Sequence, residues 1–126
     1  PQGGIDAGES NTQAAYRELF EEVGIKRNQV NILQKSKHWY HYDLPDKYRP
    51  RPKSLKNFKG QIQKWYMLQA NTNLEINLLN EIPQEFVEFK WSTYWYCLSC
   101  VVPFKRDVYR NVLTEFLPKY IQLHND

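Results

Sequence analysis

The sequence predicts an α+β domain, and three observations predict it: an apolar stripe at helical spacing ahead of residue 24, short runs rich in Val, Ile, Tyr, Phe and Trp through the middle, and a second helical stripe near the C-terminus. At 126 residues the chain has material for one hydrophobic core and too little for two, so residues 1–126 are expected to form a single domain. Hydrophobic residues at 41% and charged residues at 25% exclude a disordered or fibrous chain. No run of 18 apolar residues occurs, so neither a membrane span nor a membrane partner is expected.

Residues 1–9 (PQGGIDAGE) are Gly-rich without apolar period and read as a loop. Ser10, Asn11 and Thr12 then offer N-caps to a helix that runs to about Val23, with Gly24 as its stop. Ala15, Leu19 and Val23 recur every four residues on one face of this helix, and Glu18, Glu21 and Glu22 fall on another. Residues 29–35 and 39–44 alternate loosely and read as strands, paired as a hairpin. Residues 45–60 hold three prolines and read as an exposed loop. Residues 61–70 (QIQKWYMLQA) are the clearest strand and residues 86–91 (FVEFKW) a further one. After a turn over residues 94–100, Phe104, Val108, Val112, Phe116 and Tyr120 repeat at i+4 and mark a C-terminal amphipathic helix. A sheet of these strands alone is small, so further strands are expected ahead of Pro1.

Charge and cysteines narrow the chemistry. The net charge is only +3, but six basic residues and no acidic one lie between Lys47 and Lys59, while the N-terminal quarter is the acidic part. That asymmetry suits a site holding a cation with carboxylates and an anionic substrate with a basic loop, the alternative for the loop being a solvated linker. Cys97 and Cys100 have no second pair and fail the spacing test for structural zinc; they read as two half-buried thiols in a reducing, cytoplasmic setting.

On a helix, positions i, i+3 and i+4 are neighbours, so Glu18, Glu21 and Glu22 stand within reach of one ion. A hard, oxygen-preferring cation, Mg²⁺ or Mn²⁺, matches carboxylate and water ligands. The plain alternative is a solvated acidic face, with Glu22 pairing with Arg17 or Lys26. Glu85, ahead of the FVEFKW strand, is a candidate for an added ligand or base, against the alternative of a loop carboxylate in water.

Residues 3–25, GGIDAGESNTQAAYRELFEEVGI, match position for position the Nudix box G-x5-E-x7-R-E-U-x-E-E-x-G-U, where U is bulky and aliphatic. Gly3, Glu9, Arg17, Glu18, Leu19, Glu21, Glu22, Gly24 and Ile25 take the defined places. Seven of these are single-residue requirements, so a chance match is on the order of one in 10⁹ per starting position. The chain therefore resembles the Nudix hydrolases, and PQGG, QKWYMLQ, EFVEFKW, STYWY and VVPFKRDVYRNVL extend the likeness over nearly its whole length to the bacterial RNA pyrophosphohydrolases, relatives of dinucleoside polyphosphate hydrolases.

The resemblance implies a Nudix fold, an α/β/α sandwich around a mixed β-sheet, here N-terminally truncated because similar proteins carry strands, an Arg and a Trp ahead of PQGG. It implies cleavage of the 5′-triphosphate or 5′-diphosphate end of RNA to a 5′-monophosphate, which triggers mRNA decay, through attack by metal-activated water. The alternative substrates are dinucleoside polyphosphates such as diadenosine tetraphosphate or pentaphosphate. A third reading is a non-catalytic RNA-binding Nudix domain, but such members usually lose one of the box glutamates and this chain keeps all three.

Residue by residue, the resemblance puts Glu18, Glu21, Glu22, Glu85 and the Gly3 carbonyl at more than one Mg²⁺ or Mn²⁺ ion. Glu21, Glu22 and Glu85 carry the catalytic work. Phe104 and Lys105 flank the first bases or phosphates, and Tyr42 lies near the triphosphate; for Phe104 the alternative is the first residue of the C-terminal helix's apolar stripe. Glu9 pairs with Arg17 to tie loop to helix, and Gly24 closes the helix. An aromatic side chain beside a cation suits single-stranded RNA ends, where stacking and phosphate neutralisation act together. A stimulating protein partner is left open.

Overall fold

Residues 1–48, 60–79, 86 and 88–125 are described by the structure, a computed structural model. Helix α1 spans Asn11–Val23. It starts where the sequence offers a cap: the Ser10 hydroxyl accepts the Gln13 N–H and the Gln13 side chain accepts the Ser10 N–H, a reciprocal capping box. It ends where Gly24, at φ 74°, turns left-handed and returns its N–H to the Phe20 carbonyl. A Cβ at Gly24 would also stand 2.8 Å from Asn77 Cβ, so this stop has neither the backbone nor the space for another residue.

Four strands follow: β1 (Val30–Lys35), β2 (Tyr40–Asp43), β3 (Gly60–Gln63) and β4 (Tyr66–Ala70). The expected hairpin of 29–35 with 39–44 is not what forms. β1 pairs with β4 and β2 pairs antiparallel with β3, giving two two-stranded sheets. The expected single strand over 61–70 is likewise two strands, broken at Lys64 and Trp65. The break has a cause. Ser36, 1% exposed, donates its N–H to the Trp65 carbonyl and accepts the Trp65 N–H on its hydroxyl, so the chain ends β1 and begins β4 at a side-chain-mediated bridge instead of continuing the ladder. Phe86 and Glu88–Trp91 carry no strand, which corrects the expectation for 86–91.

The region expected as a turn contains a short helix, α2 (Tyr96–Cys100), and a 3₁₀ turn at Pro103–Lys105 leads into α3 (Arg106–Asn125). Pro118 lies inside α3. Cys97 is half-buried, and burial pushes its thiol pKa up; Cys100 is exposed rather than half-buried, and neither is in a disulfide. No helix among the described residues is long and apolar enough to cross a membrane.

The chain divides into two compact units, Pro1–Gln34 with Tyr66–Trp91, and Lys35–Trp65 with Ser92–Asp126. The first is built on Leu19, Val23, Ile25 and Val30, with Leu68, Leu74, Ile76, Leu78 and Phe86 packed around them. The second is built on Tyr42, Val108, Val112 and Phe116, so the i+4 stripe of α3 is the face that it buries, against β2 among other elements. Helices and two small sheets together make the fold α+β.

Candidate active site

The first unit holds the Nudix-box residues. Because α1 is fixed at both ends, the helical repeat places Glu18, Glu21 and Glu22 within one turn. Their surroundings differ. Glu22 is only 3% exposed, which rules out a solvated acidic face at that position, since a carboxylate is costly to remove from water unless a cation or donors meet it. Glu18 accepts from Arg17 Nη1 at 2.6 Å, and Glu21 accepts from the same nitrogen at 3.2 Å.

Arg17 is the hub of the loop. Its Nε donates to Glu9 Oε2 at 2.8 Å and its Nη2 to Glu9 Oε1 at 3.0 Å, a two-pronged pair, while Nη2 also reaches the Gly4 carbonyl at 2.7 Å. Asp6 stands 3.4 Å from Arg17 Nε and gives its own N–H to Glu9. Hydrogen bonds from Arg17 and then from the Asp6 N–H hold the Glu9 carboxyl below its ordinary pKa, and Glu9 and Glu18 raise that of the guanidinium. Gly4 and Asp6 were not singled out in the sequence; Asp6, three residues before Glu9 in a Gly-flanked loop, was the available signal.

Gly3 lies hard against this cluster. A Cβ on Gly3 would overlap the carboxylate of Glu18 as it lies here, so the loop backbone and the far end of that side chain are direct neighbours. In this arrangement no three Asp, Glu, His or Cys side chains among the described residues are gathered to hold a metal ion, because Arg17 occupies the space between Glu18 and Glu21. Gathering them on a cation requires Glu18 and Glu21 to turn off Arg17, whose pair with Glu9 can remain. The all-oxygen donor set and the side-chain-free backbone at Gly3 fit a hard divalent ion. Glu85 lies outside the described residues, as do Arg49 to Lys59 of the basic run.

In the second unit the structure brings Tyr42, Phe104 and Lys105 together. The buried Tyr42 ring lies 5.6 Å from that of Phe104, tilted by 50°. Lys105 Nζ stands 5.4 Å from the Tyr42 ring centre and 5.9 Å from that of Phe104, near enough for cation–π attraction to both. Tyr42 donates its hydroxyl to Gln61 Oε1 at 2.8 Å, across the β2–β3 pair. The 3₁₀ turn at Pro103–Lys105 thus presents an amine beside two aromatic rings tilted against each other.

A family model described as the NUDIX domain matches residues 1–112. An RNA pyrophosphohydrolase of Shewanella denitrificans is 50% identical over 119 residues, covering 94% of this chain and 69% of that protein. One of Proteus mirabilis is 45% identical over 127 residues, 98% of this chain and 70% of that protein. One of Salmonella arizonae is 44% identical over 130 residues, 100% of this chain and 72% of that protein.

Proposed function

This chain belongs to the Nudix family of hydrolases, and we propose that it converts RNA bearing a 5′-triphosphate or 5′-diphosphate into RNA with a 5′-monophosphate. The family acts on pyrophosphate linkages and generally uses divalent metal ions. Here Glu18, Glu21, Glu22, Glu85 and the Gly3 carbonyl would hold Mg²⁺ or Mn²⁺, more than one ion being needed to neutralise a triphosphate. The chemistry such ions supply when bound is charge neutralisation on the phosphate oxygens and a more acidic bound water.

The chain's own groups do the rest. One of Glu21, Glu22 and Glu85 takes the proton of the attacking water. The water oxygen bonds to the phosphorus next to the RNA 5′ oxygen, and the anhydride bond breaks with pyrophosphate leaving from a triphosphate end, or phosphate from a diphosphate end. Arg17, held by Glu9, keeps the loop and its Gly3 backbone at the helix. Tyr42, Phe104 and Lys105 receive the first base and the phosphates. This reaction sets the protein's work among cytoplasmic RNAs.

The observation that carries RNA as substrate is the gathered trio of Tyr42, Phe104 and Lys105 in a chain 44–50% identical to proteins named RNA pyrophosphohydrolase. Turnover of a 5′-triphosphorylated RNA compared with that of diadenosine tetraphosphate tests it. The RNA is expected to have the higher kcat/KM; a large preference for the dinucleotide would replace this reading with dinucleoside polyphosphate hydrolysis.

A further inference from the structure

We propose that the outward face of the β2–β3 ribbon, centred on Trp39 and Lys64, binds single-stranded RNA downstream of the reacting 5′ end; this rests on RNA being the substrate. The register Tyr40↔Gln63, His41↔Ile62 and Tyr42↔Gln61 sorts the ribbon into two faces. Tyr40, Tyr42, Gln61 and Gln63 are half-buried or buried on the inner face, where β2 meets α3. The same alternation turns the exposed His41 and Ile62 outward, and the exposed Trp39 and half-buried Lys64 continue that face just past the strand ends. Trp39 is 49% exposed and Ile62 is 71% exposed, so an indole and an aliphatic side chain on this face are open to water.

What sets Trp39 apart from other exposed aromatics of the chain such as Phe89 and Trp91 is the cation held over its ring. Lys64 Nζ lies 5.5 Å from the Trp39 ring centre and is steadied by the Lys37 carbonyl at 3.4 Å. Lys37, His38 and His41 are exposed alongside. Among the described residues of the two strands the acidic residue on this face is Asp43, at the opposite end of β2. Glu115, the other nearby carboxylate, is engaged by the Tyr40 hydroxyl and the Lys37 N–H. A flat indole with two ammonium groups matches a nucleobase with its flanking phosphates, since every base offers a π-face and every link a negative charge. An apolar protein partner would use the indole and Ile62 but has no need of the lysines.

The test uses the full chain and 5′-triphosphorylated RNAs of two lengths, a dinucleotide and a single strand of about twelve nucleotides, long enough to cover one stacking platform. For Trp39→Ala the KM of the longer RNA should rise about tenfold with kcat unchanged, as expected for one lost stacked base, while the dinucleotide is unaffected. Trp39→Phe should restore most of the loss. Lys64→Ala should reduce the salt dependence of binding by about one ion, read by fluorescence anisotropy of the labelled longer RNA in EDTA. An unchanged KM and affinity for the longer RNA in Trp39→Ala would overturn the proposal. So would equal losses on both lengths, which mark a structural role, or displacement of the RNA by polyglutamate at equal charge, which marks a surface for acidic proteins. Absence of turnover on both lengths would instead defeat the hydrolase reading, and the anisotropy in EDTA would still decide this surface.

Discussion

Arg17 grips Glu9 through two parallel hydrogen bonds, Nε to Oε2 at 2.8 Å and Nη2 to Oε1 at 3.0 Å. A lysine carries the same charge but cannot make both bonds while also reaching the Gly4 carbonyl. Arg17→Lys is therefore expected to lower the thermal midpoint and to reduce kcat by about ten- to a hundredfold, through misplacement of the loop that carries Gly3. A kcat equal to that of the unsubstituted protein would show that the loop holds its place without the fork.

Glu22 is the box carboxylate most withdrawn from water. Replacing it by Gln keeps the shape and removes the charge. Glu22→Gln should cut metal-dependent turnover by about 10²–10⁴-fold while leaving RNA binding largely intact. Unchanged turnover would refute its assignment to the metal and the proton.

Tyr40 and Glu115 form a short hydrogen bond that ties β2 to α3. Burial first, and then Glu115, push the Tyr40 pKa from 10 up to about 12. Its contribution to stability is therefore whole below pH 10 and is lost as pH rises toward 12, where the unfolded chain's tyrosine has already ionised. Burial pushes the Glu115 carboxyl up, but the bonds from Tyr40 and from the Lys37 N–H outweigh it, so its net pKa is lowered. That contribution is present above the ordinary carboxylate value and disappears as pH falls through the lowered one. Tyr40→Phe should cost about 1 kcal/mol at pH 7, allowing for partial exposure. Urea midpoints for both proteins should converge between pH 10 and 12; a constant gap would show that the hydroxyl is not linked to ionisation.

Two glycines adopt positive φ, and they make a controlled pair. Gly8, at 78°, has open space where a Cβ would go, whereas Gly24, at 74°, faces Asn77. Gly8→Ala should cost about 1 kcal/mol from backbone strain alone. Gly24→Ala should cost more, because the overlap with Asn77 adds to the same strain. Equal thermal midpoints for the two variants would contradict the contact.

Local chemistry was readable in the sequence and pairing was not. Ser10 and Gly24 bracket α1 because caps act within four residues, and the stripe Val108, Val112 and Phe116 is buried because helical periodicity is a local property. Three of the strand segments were located but mispaired, and 86–91 forms no strand at its described residues: β2 joins β3 across a long connection, and the Ser36–Trp65 bridge explains why the run from Gln61 to Ala70 is split. The site divides in the same way. The spacing of Glu18, Glu21 and Glu22 sets them on one turn, but it does not set side-chain rotamers, and Arg17 takes two of the three. Nor could spacing alone tell that Phe104 meets Tyr42, about sixty residues away, a contact made by tertiary packing.

Pro118 sits in the interior of α3 and has no amide hydrogen to give to the carbonyl of Thr114, four residues earlier. The helix is consequently two ladders joined by a rung that is missing. Everything from Arg106 to Leu117 is stitched to the second unit by Val108, Val112 and Phe116, whereas the final two turns lean on Tyr94 through Tyr120 and can fray without loosening what precedes them.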